Sequence, residues 1–256
     1  MNTWRLIDLE IHDGFTNMAI DEAILEARIA NKVPNTFRLY RWQPACASIG
    51  KNQSLEHEID IEACEKMGID YVRRITGGGA VYHDYLGEIT YSIIAKKENF
   101  LPMDIDKTFR ILCKGIIVAL GDFGLTAEHG VHHCPSIFVE GRKISGNAQT
   151  IRKGVVLQHG TILLNYDPEL MYTVLKVKRV GNKPKVVSSV YQKVTTLQQE
   201  SKREYDIETV KNTLIEGYKR ALNTKFSMQP LSEEEKEMTN RLVADKYKTK
   251  DWNFKL

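Results

Sequence analysis

The segment Arg73-Arg74-Ile75-Thr76-Gly77-Gly78-Gly79-Ala80-Val81-Tyr82-His83-Asp84 sets three consecutive glycines between a pair of arginines and a His-Asp step. It continues a short run of strand character, Tyr71-Val72-Arg73-Arg74. Three glycines in a row raise the entropy of the unfolded chain and pack no side chain. Such a run is explained if the backbone must come close to something else. Its N–H groups can form a concavity that holds an oxyanion, and arginine adds fixed charge and planar donors suited to carboxylate or phosphate. The run is neither the phosphate loop ending in Gly-Lys-Ser/Thr nor the GxGxxG dinucleotide turn. Taken alone, it is equally a tight hairpin with surface arginines. The charged and polar residues on both sides favour a ligand.

A second constellation, Glu140-Gly141-Arg142-Lys143-Ile144-Ser145-Gly146-Asn147-Ala148-Gln149, starts with a turn dipeptide. Strand alternation then predicts Lys143, Ser145 and Asn147 on one face, with Ile144, Gly146 and Ala148 on the other. The small residues at 146 and 148 let a ligand or another backbone approach. A lysine beside an anion-binding loop can contact the charged oxygens at a reacting centre. By itself the segment also suits a solvated hairpin.

Around these segments the pattern alternates strands and helices. Strands are predicted at 3–8, 37–42, 71–74, 89–95, 136–139, 143–149 and 155–164, and 45–50 reads as a continuation of 37–42 beyond Pro44. The 37–42 run alternates apolar and basic residues, which predicts one wet face. Helices are predicted at 15–30, 59–67 closed by Gly68, 105–123 closed by Gly124, and 206–222. Ser232 with Glu235 three residues on is a capping-box signature for a last helix to about 246. The expectation is an α+β fold, a mixed β-sheet flanked by helices, forming one domain over 1–256.

The chain has 256 residues, 42% of them hydrophobic and 27% charged, with 36 Lys plus Arg against 33 Asp plus Glu. That composition excludes a disordered chain. A net charge of +3 is too small, without a clustered basic face, to indicate a nucleic-acid binder. No apolar run approaches the roughly 20 residues needed to span a bilayer, and no signal-peptide pattern opens the chain. The four cysteines, Cys46, Cys64, Cys113 and Cys134, show no CxxC spacing, so neither a zinc site nor a disulfide framework is expected. A cytoplasmic protein with free thiols and no membrane or nucleic-acid partner is expected.

Jointly, the glycine segment and the Lys143 segment resemble the family of lipoate and octanoate protein ligases and transferases, which shares its catalytic fold with biotin-protein ligases. The likeness extends to Asn17-Met18-Ala19-Ile20-Asp21-Glu22-Ala23, similar to the family's first helix, and to Ser48-Ile49-Gly50-Lys51-Asn52-Gln53. It continues through Leu157–Leu163, Val186–Val190, Val194–Leu197 and the ending around Lys246-Tyr247 and Asp251-Trp252-Asn253. The glycine motif of biotin-protein ligases differs.

The resemblance implies, first, a lipoate-protein ligase: lipoate and ATP give lipoyl-adenylate, and the acyl group passes to a lysine of a lipoyl domain. The implied acceptors are lipoyl domains of 2-oxoacid dehydrogenase acyltransferase subunits or the glycine-cleavage H protein. Lys143 would be the catalytic residue. Arg73, Gly77, Gly78, Gly79, Tyr82, His83, Asn147, Ala148, His159 and Gly160 would bind lipoate or the acyl-adenylate. Lys176, Lys178, Arg179 and Lys183 would form the adenylate loop, and Asp84 with the phosphates would hold magnesium. The ligases' small C-terminal accessory domain is missing from the sequence, which fits a ligase with a separate accessory protein, an octanoyltransferase, or a non-catalytic relative. Where ligases commonly carry Asn-Asp, this chain reads Cys134-Pro135-Ser136. That departure supports an alternative, an octanoyltransferase. It would take octanoate from acyl carrier protein onto Cys134 as a thioester, with His129, His132 and His133 nearby to activate the thiol. Tyr82 and the Val-Ser-Ser-Val stretch favour the ligase. A module that binds lipoate or lipoyl domains without chemistry is a third reading, against which the retention of Lys143 with the whole glycine motif argues.

Overall fold

The strand β1 (Thr3–His12) runs parallel to β2 (Thr36–Trp42), because α1 (Gly14–Ile29) carries the chain back between them. Asp13 starts α1 by accepting the Thr16 N–H at 2.6 Å. The computed structural model describes residues 3–97, 104–130, 135–165, 167–176, 179–180, 183–184 and 194–255. The remaining elements, in chain order, are β3 (Cys46–Ile49), α2 (Leu55–Glu58), α3 (Ile61–Met67), β4 (Asp70–Arg73), β5 (Val81–His83), β6 (Glu88–Lys96) and α4 (Ile105–Asp122). There follow β7 (Ala127–His129), β8 (Ile137–Val139), β9 (Arg142–Ser145), β10 (Asn147–Arg152), β11 (Val155–Leu163), α5 (Pro168–Val174), and the short paired strands β12 (Arg179–Val180) and β13 (Lys183–Pro184). The chain ends with α6 (Leu197–Ser201), α7 (Ile207–Leu222), β14 (Lys225–Met228), α8 (Glu233–Leu242), a π-helical turn Val243–Tyr247, and α9 (Lys250–Asn253).

The main sheet has the order β10-β11-β6-β2-β1-β14. Its β1 pairs are parallel and the β2-β6-β11-β10 run is antiparallel, so the sheet is mixed, as expected. Both faces are covered. On one, Leu112, Ile116 and Tyr218 from α4 and α7 pack on Phe37, Leu39, Tyr91 and Ile93. On the other, Met18, Ile20, Ile24 and Leu25 of α1 pack with Tyr40, Trp42, Ile94 and Leu157. This double cover overturns the expected wet face of residues 37–42: every residue of β2 is buried. Arg38 is tolerated there because Asp21 Oδ1 and Asn17 Oδ1 accept its guanidinium at 3.1 and 2.8 Å.

Three further expectations change. Residues 46–49 do not continue β2; they form the centre of a separate sheet, β4-β3-β5. The predicted helix at 59–67 starts only at Ile61, because Asp60 is extended and caps α3 through the Ala63 N–H at 3.0 Å, and the short α2 precedes it. The predicted strand at 143–149 is broken at Gly146: β9 pairs with β8 and β10 with β11. The capping box at Ser232 and Glu235 forms as expected.

Candidate active site

A cavity of about 470 Å³ opens where β3, β5 and the glycine loop face β6, β11 and the β9–β10 junction. Its polar wall is Ser48, Arg74, His83, Lys143, Asn147 and His159. Its apolar wall includes Met18, Trp42, Leu163, Met171 and Leu175. This size and mixture suit a small organic substrate with one polar reacting end.

Of the residues expected from sequence, Gly78, Gly79, Tyr82, His83, Lys143, Asn147, Ala148, His159 and Gly160 line the cavity. Arg73 does not. The end of β4 sends Arg73 away from the cavity, where its guanidinium donates to the carbonyls of Trp252, Asn253 and Lys255 and to those of Lys51 and Gln53. The cavity arginine is its neighbour, Arg74. Gly77 also stays outside the lining. Asp84 is engaged in a turn, its Oδ1 accepting the N–H groups of Leu86 and Gly87 at 2.7 and 2.8 Å. Among the described residues no group of three or more His, Cys, Asp or Glu side chains is placed to hold a metal ion. Lys176 lies off the cavity, its Nζ donating to the Glu56 carbonyl at 3.2 Å. Arg179 and Lys183 fall on β12 and β13. Lys178, Cys134, His132, His133 and the Val186–Val190 stretch lie outside the described residues.

The glycine loop works differently from the expected cup of N–H groups. Its carbonyls turn to a cation: Arg74 Nη2 donates to Gly77 O and Gly79 O at 2.8 and 2.7 Å. Gly78 sits at φ +93°, a conformation that glycine adopts without strain. Gly50 must also lack a side chain, because a Cβ there would lie 2.1 Å from the Gly78 carbonyl. Burial lowers the Arg74 guanidinium to about 10, so it remains charged at neutral pH. Among the described residues no carboxylate pairs with it directly.

Arg74 instead meets two hydroxyls. Its Nη1 donates to Ser48 Oγ and its Nε to Thr76 Oγ1, both at 3.1 Å. Each hydroxyl faces a histidine: Ser48 Oγ lies 2.8 Å from His83 Nε2, and Thr76 Oγ1 lies 2.7 Å from His159 Nε2. Each histidine backs onto a carboxylate: His83 Nδ1 onto Glu88 Oε1 at 2.7 Å, and His159 Nδ1 onto Asp21 Oδ2 at 3.2 Å. The carboxylate fixes the proton on Nδ1 of the neutral ring, which leaves Nε2 as the acceptor of the hydroxyl proton. Burial, with Arg74 and His83 nearby, lowers the pKa of His159 against the pull of Asp21. Burial raises that of Asp21, but the His159 hydrogen bond, Arg38 and Ser92 outweigh it and hold the carboxyl below its ordinary value. Sequence reasoning missed Arg74, Thr76 and Glu88 as site residues, and saw Asp21 and Ser48 only as motif members. The sheet register that pairs Cys46 with His83 and Ser48 with Val81 brings them together, and no local spacing signals it.

The β9–β10 junction positions the lysine. A Cβ at Gly146 would lie 3.0 Å from Lys143 Cε and 3.1 Å from Nζ, so the glycine lets the ammonium lie against the backbone. Asn147 braces the same region. Its Oδ1 accepts from Tyr91 Oη at 2.6 Å, and its Nδ2 donates to the Pro135 carbonyl at 2.6 Å. Pro135 itself lines the cavity, and Cys134 precedes it in the chain. The three described cysteines are buried. Burial pushes the thiols of Cys64 and Cys113 up to about 12 and that of Cys46 well above its ordinary value. None of these three has the character of a nucleophile.

The family model for the lipoyl protein ligase A/B catalytic domain matches residues 13–219. Similar curated proteins include the octanoyltransferase LipM of Clostridioides difficile, 34% identical with 100% of both chains covered. Another is the octanoyltransferase LipM of Geobacillus kaustophilus, 35% identical with 98% of both chains covered. Among solved structures, the bi-partite lipoate protein ligase of Thermoplasma acidophilum is 30% identical, with a TM-score of 0.84 over 99% of this chain and 97% of that one. A lipoate-protein ligase A bound with ATP is 29% identical, with a TM-score of 0.84 over 99% of both chains. The expected family and its ligase-type catalytic fold are thereby shown, and the module without chemistry gives way to an enzyme of this group. The chain belongs to the lipoyl protein ligase A/B catalytic domain family.

Proposed function

We propose that the protein is an octanoyltransferase that moves an octanoyl group from acyl carrier protein to a lysine of a lipoyl domain through a thioester on Cys134. Its full-length similarity to octanoyltransferases LipM carries this reading. It reverses the order in which the sequence alone ranks the two activities. The cysteine inventory supports it. Three of the four thiols are buried and hard to ionise, while Cys134 adjoins the cavity-lining Pro135 that Asn147 holds.

In this reaction the Cys134 thiolate attacks the octanoyl thioester carbonyl, the new C–S bond forms, and the carrier sulfur departs as thiolate. A lysine amine then attacks the new thioester, the C–N bond forms, and the sulfur leaves as thiolate. Both steps pass through an oxyanion. The Lys143 ammonium, held against Gly146, and the Arg74 guanidinium are the cations on the cavity wall suited to stabilise it. The apolar wall of Met18, Leu163, Met171 and Leu175 would take the alkyl chain. No step here draws on a metal ion.

A second reading, ATP-dependent lipoate ligation with a separate accessory protein, is favoured by the likeness to the ligase bound with ATP. One experiment separates them. The pure protein is given a lipoyl domain with either octanoyl-acyl carrier protein, or lipoate, ATP and magnesium, and the domain is weighed by mass spectrometry. The transferase predicts modification without ATP, lost in Cys134→Ser. Modification only with lipoate and ATP would sink it in favour of the ligase.

A further inference from the structure

We propose that Ser48 and His83, backed by Glu88, form the proton relay that deprotonates the acceptor lysine amine as it attacks the acyl group. The proposal rests on the functional reading above only in that an acyl group is passed to an amine.

The need is chemical. An amine that attacks a carbonyl gains positive charge and must lose a proton before the tetrahedral intermediate can collapse to the amide. Among the described residues two histidines line the cavity, and they are not equivalent. His159 reaches it behind Thr76, whose side chain is fully buried and off the lining. Its carboxylate, Asp21, is already taken up by Arg38, Tyr40 and Ser92. His83 works through Ser48, which lines the cavity itself. The Ser48 hydroxyl accepts one bond from Arg74 and gives its proton to His83 Nε2. A hydroxyl oxygen has two lone pairs, so one stays available to an incoming N–H. Behind His83, Glu88 Oε1 holds Nδ1 at 2.7 Å and takes a further bond from Thr90 at 2.8 Å. Glu88 Oε2 is buried with no protein partner, so the carboxylate keeps spare accepting capacity for a charged imidazole. The Trp42 indole, stacked on His83 at 4.1 Å and 14°, fixes the plane of the ring.

The transfer balances as follows. The amine nitrogen forms the C–N bond and its proton moves to Ser48 Oγ, while the Ser48 proton moves to His83 Nε2. The bond from the acyl carbon to its leaving group, sulfur in the transferase reading, breaks with its electron pair on the leaving atom, and the proton taken up by His83 passes through solvent to that group. Arg74, which donates to Ser48 Oγ, favours a partly anionic Ser48 oxygen during the relay. Ser48 and His83 are the catalytic pair, and Glu88 is a positioning residue.

The test separates the two half-reactions in a single turnover, with octanoyl-acyl carrier protein as donor and a lipoyl domain as acceptor. Intact-mass spectrometry follows the acyl-enzyme and the modified domain. In His83→Gln and Ser48→Ala the acyl-enzyme should accumulate while transfer slows by about 10²–10⁴-fold. Imidazole should restore part of the rate in His83→Ala. Glu88→Gln should lower kcat for transfer with KM for the domain unchanged. Transfer by His83→Gln at the wild-type rate overturns the proposal. So does equal loss in both half-reactions without imidazole rescue. Wild-type protein that accepts only lipoate with ATP refutes the transferase reading alone, and the same variants on that donor then decide the relay.

Discussion

At the scale of single residues, the site depends on where side chains are missing as much as on where they stand. A Cβ at Gly160 would lie 2.0 Å from Asn147 Oδ1 and 2.8 Å from the Tyr91 ring. Gly160→Ala should therefore displace the Asn147 amide and cost about 1–3 kcal/mol, read as a lower denaturation midpoint with slower acyl transfer. Lys143→Ala addresses the opposite case, a charge on the cavity wall that the proposed function sets against the oxyanion. It should reduce turnover by about 10²–10³-fold and leave the circular dichroism spectrum unchanged; normal turnover would sink the assignment. The pair Arg73 and Arg74 shows where sequence runs out. Both are arginines in one motif, yet one anchors the C-terminal segment and the other organises the cavity. Only the direction of each side chain at the end of β4 separates them.

At the scale of elements, periodicity and caps were legible and sheet membership was not. Asp206 and Ser232 each cap the helix that follows, where the sequence places those helix starts. The break at Gly146 was invisible because β9 and β10 are each acceptable strand sequence, and only their partners β8 and β11 assign them to different sheets. The helix α8 packs on α1, and one ion pair ties it to β1 as a testable electrostatic link. Glu235 Oε1 and Oε2 accept both Arg5 Nη groups at 2.6 and 2.7 Å, deep in the interface. Burial raises the Glu235 carboxyl, but Arg5 and the Ser232 N–H outweigh it and hold the pKa below its ordinary value of 4.5. A depressed carboxyl contributes stability that is fully present above about pH 4.5 and is lost as pH falls through the folded-state value. Glu235→Gln should therefore lower stability at pH 7 and flatten its decline between neutral and acid pH, as measured by urea denaturation at several pH values. An unchanged acid slope would refute the link.

At the scale of the molecule, the last residues of the chain reach back to hold the strand that launches the glycine loop. The Arg73 N–H donates to Asn253 Oδ1 at 2.8 Å, and Trp252 Nε1 donates to the Arg73 carbonyl at 2.8 Å. Asn253 Nδ2 in turn reaches the carbonyls of Tyr247 and Thr249 at 2.7 and 3.0 Å. Asn253→Ala leaves these buried groups unpaired, at a cost of about 1–3 kcal/mol. It should lower Tm by several degrees and slow acyl transfer, because β4 and Arg74 move together; a wild-type rate at a lowered Tm would show that the clamp serves stability alone. The amino-acid order by itself determined the mixed α+β class, the helix starts, the family and nine of the cavity residues, because local caps, periodicity and motif identity need no knowledge of neighbours. The tertiary structure alone decided which arginine faces the cavity, that the glycine loop wraps a cation with its carbonyls, and that two hydroxyl–histidine–carboxylate chains converge on Arg74. Those contacts join residues such as Ser48 with His83 and Asp21 with His159, far apart in the chain and brought within hydrogen-bond reach by strand register.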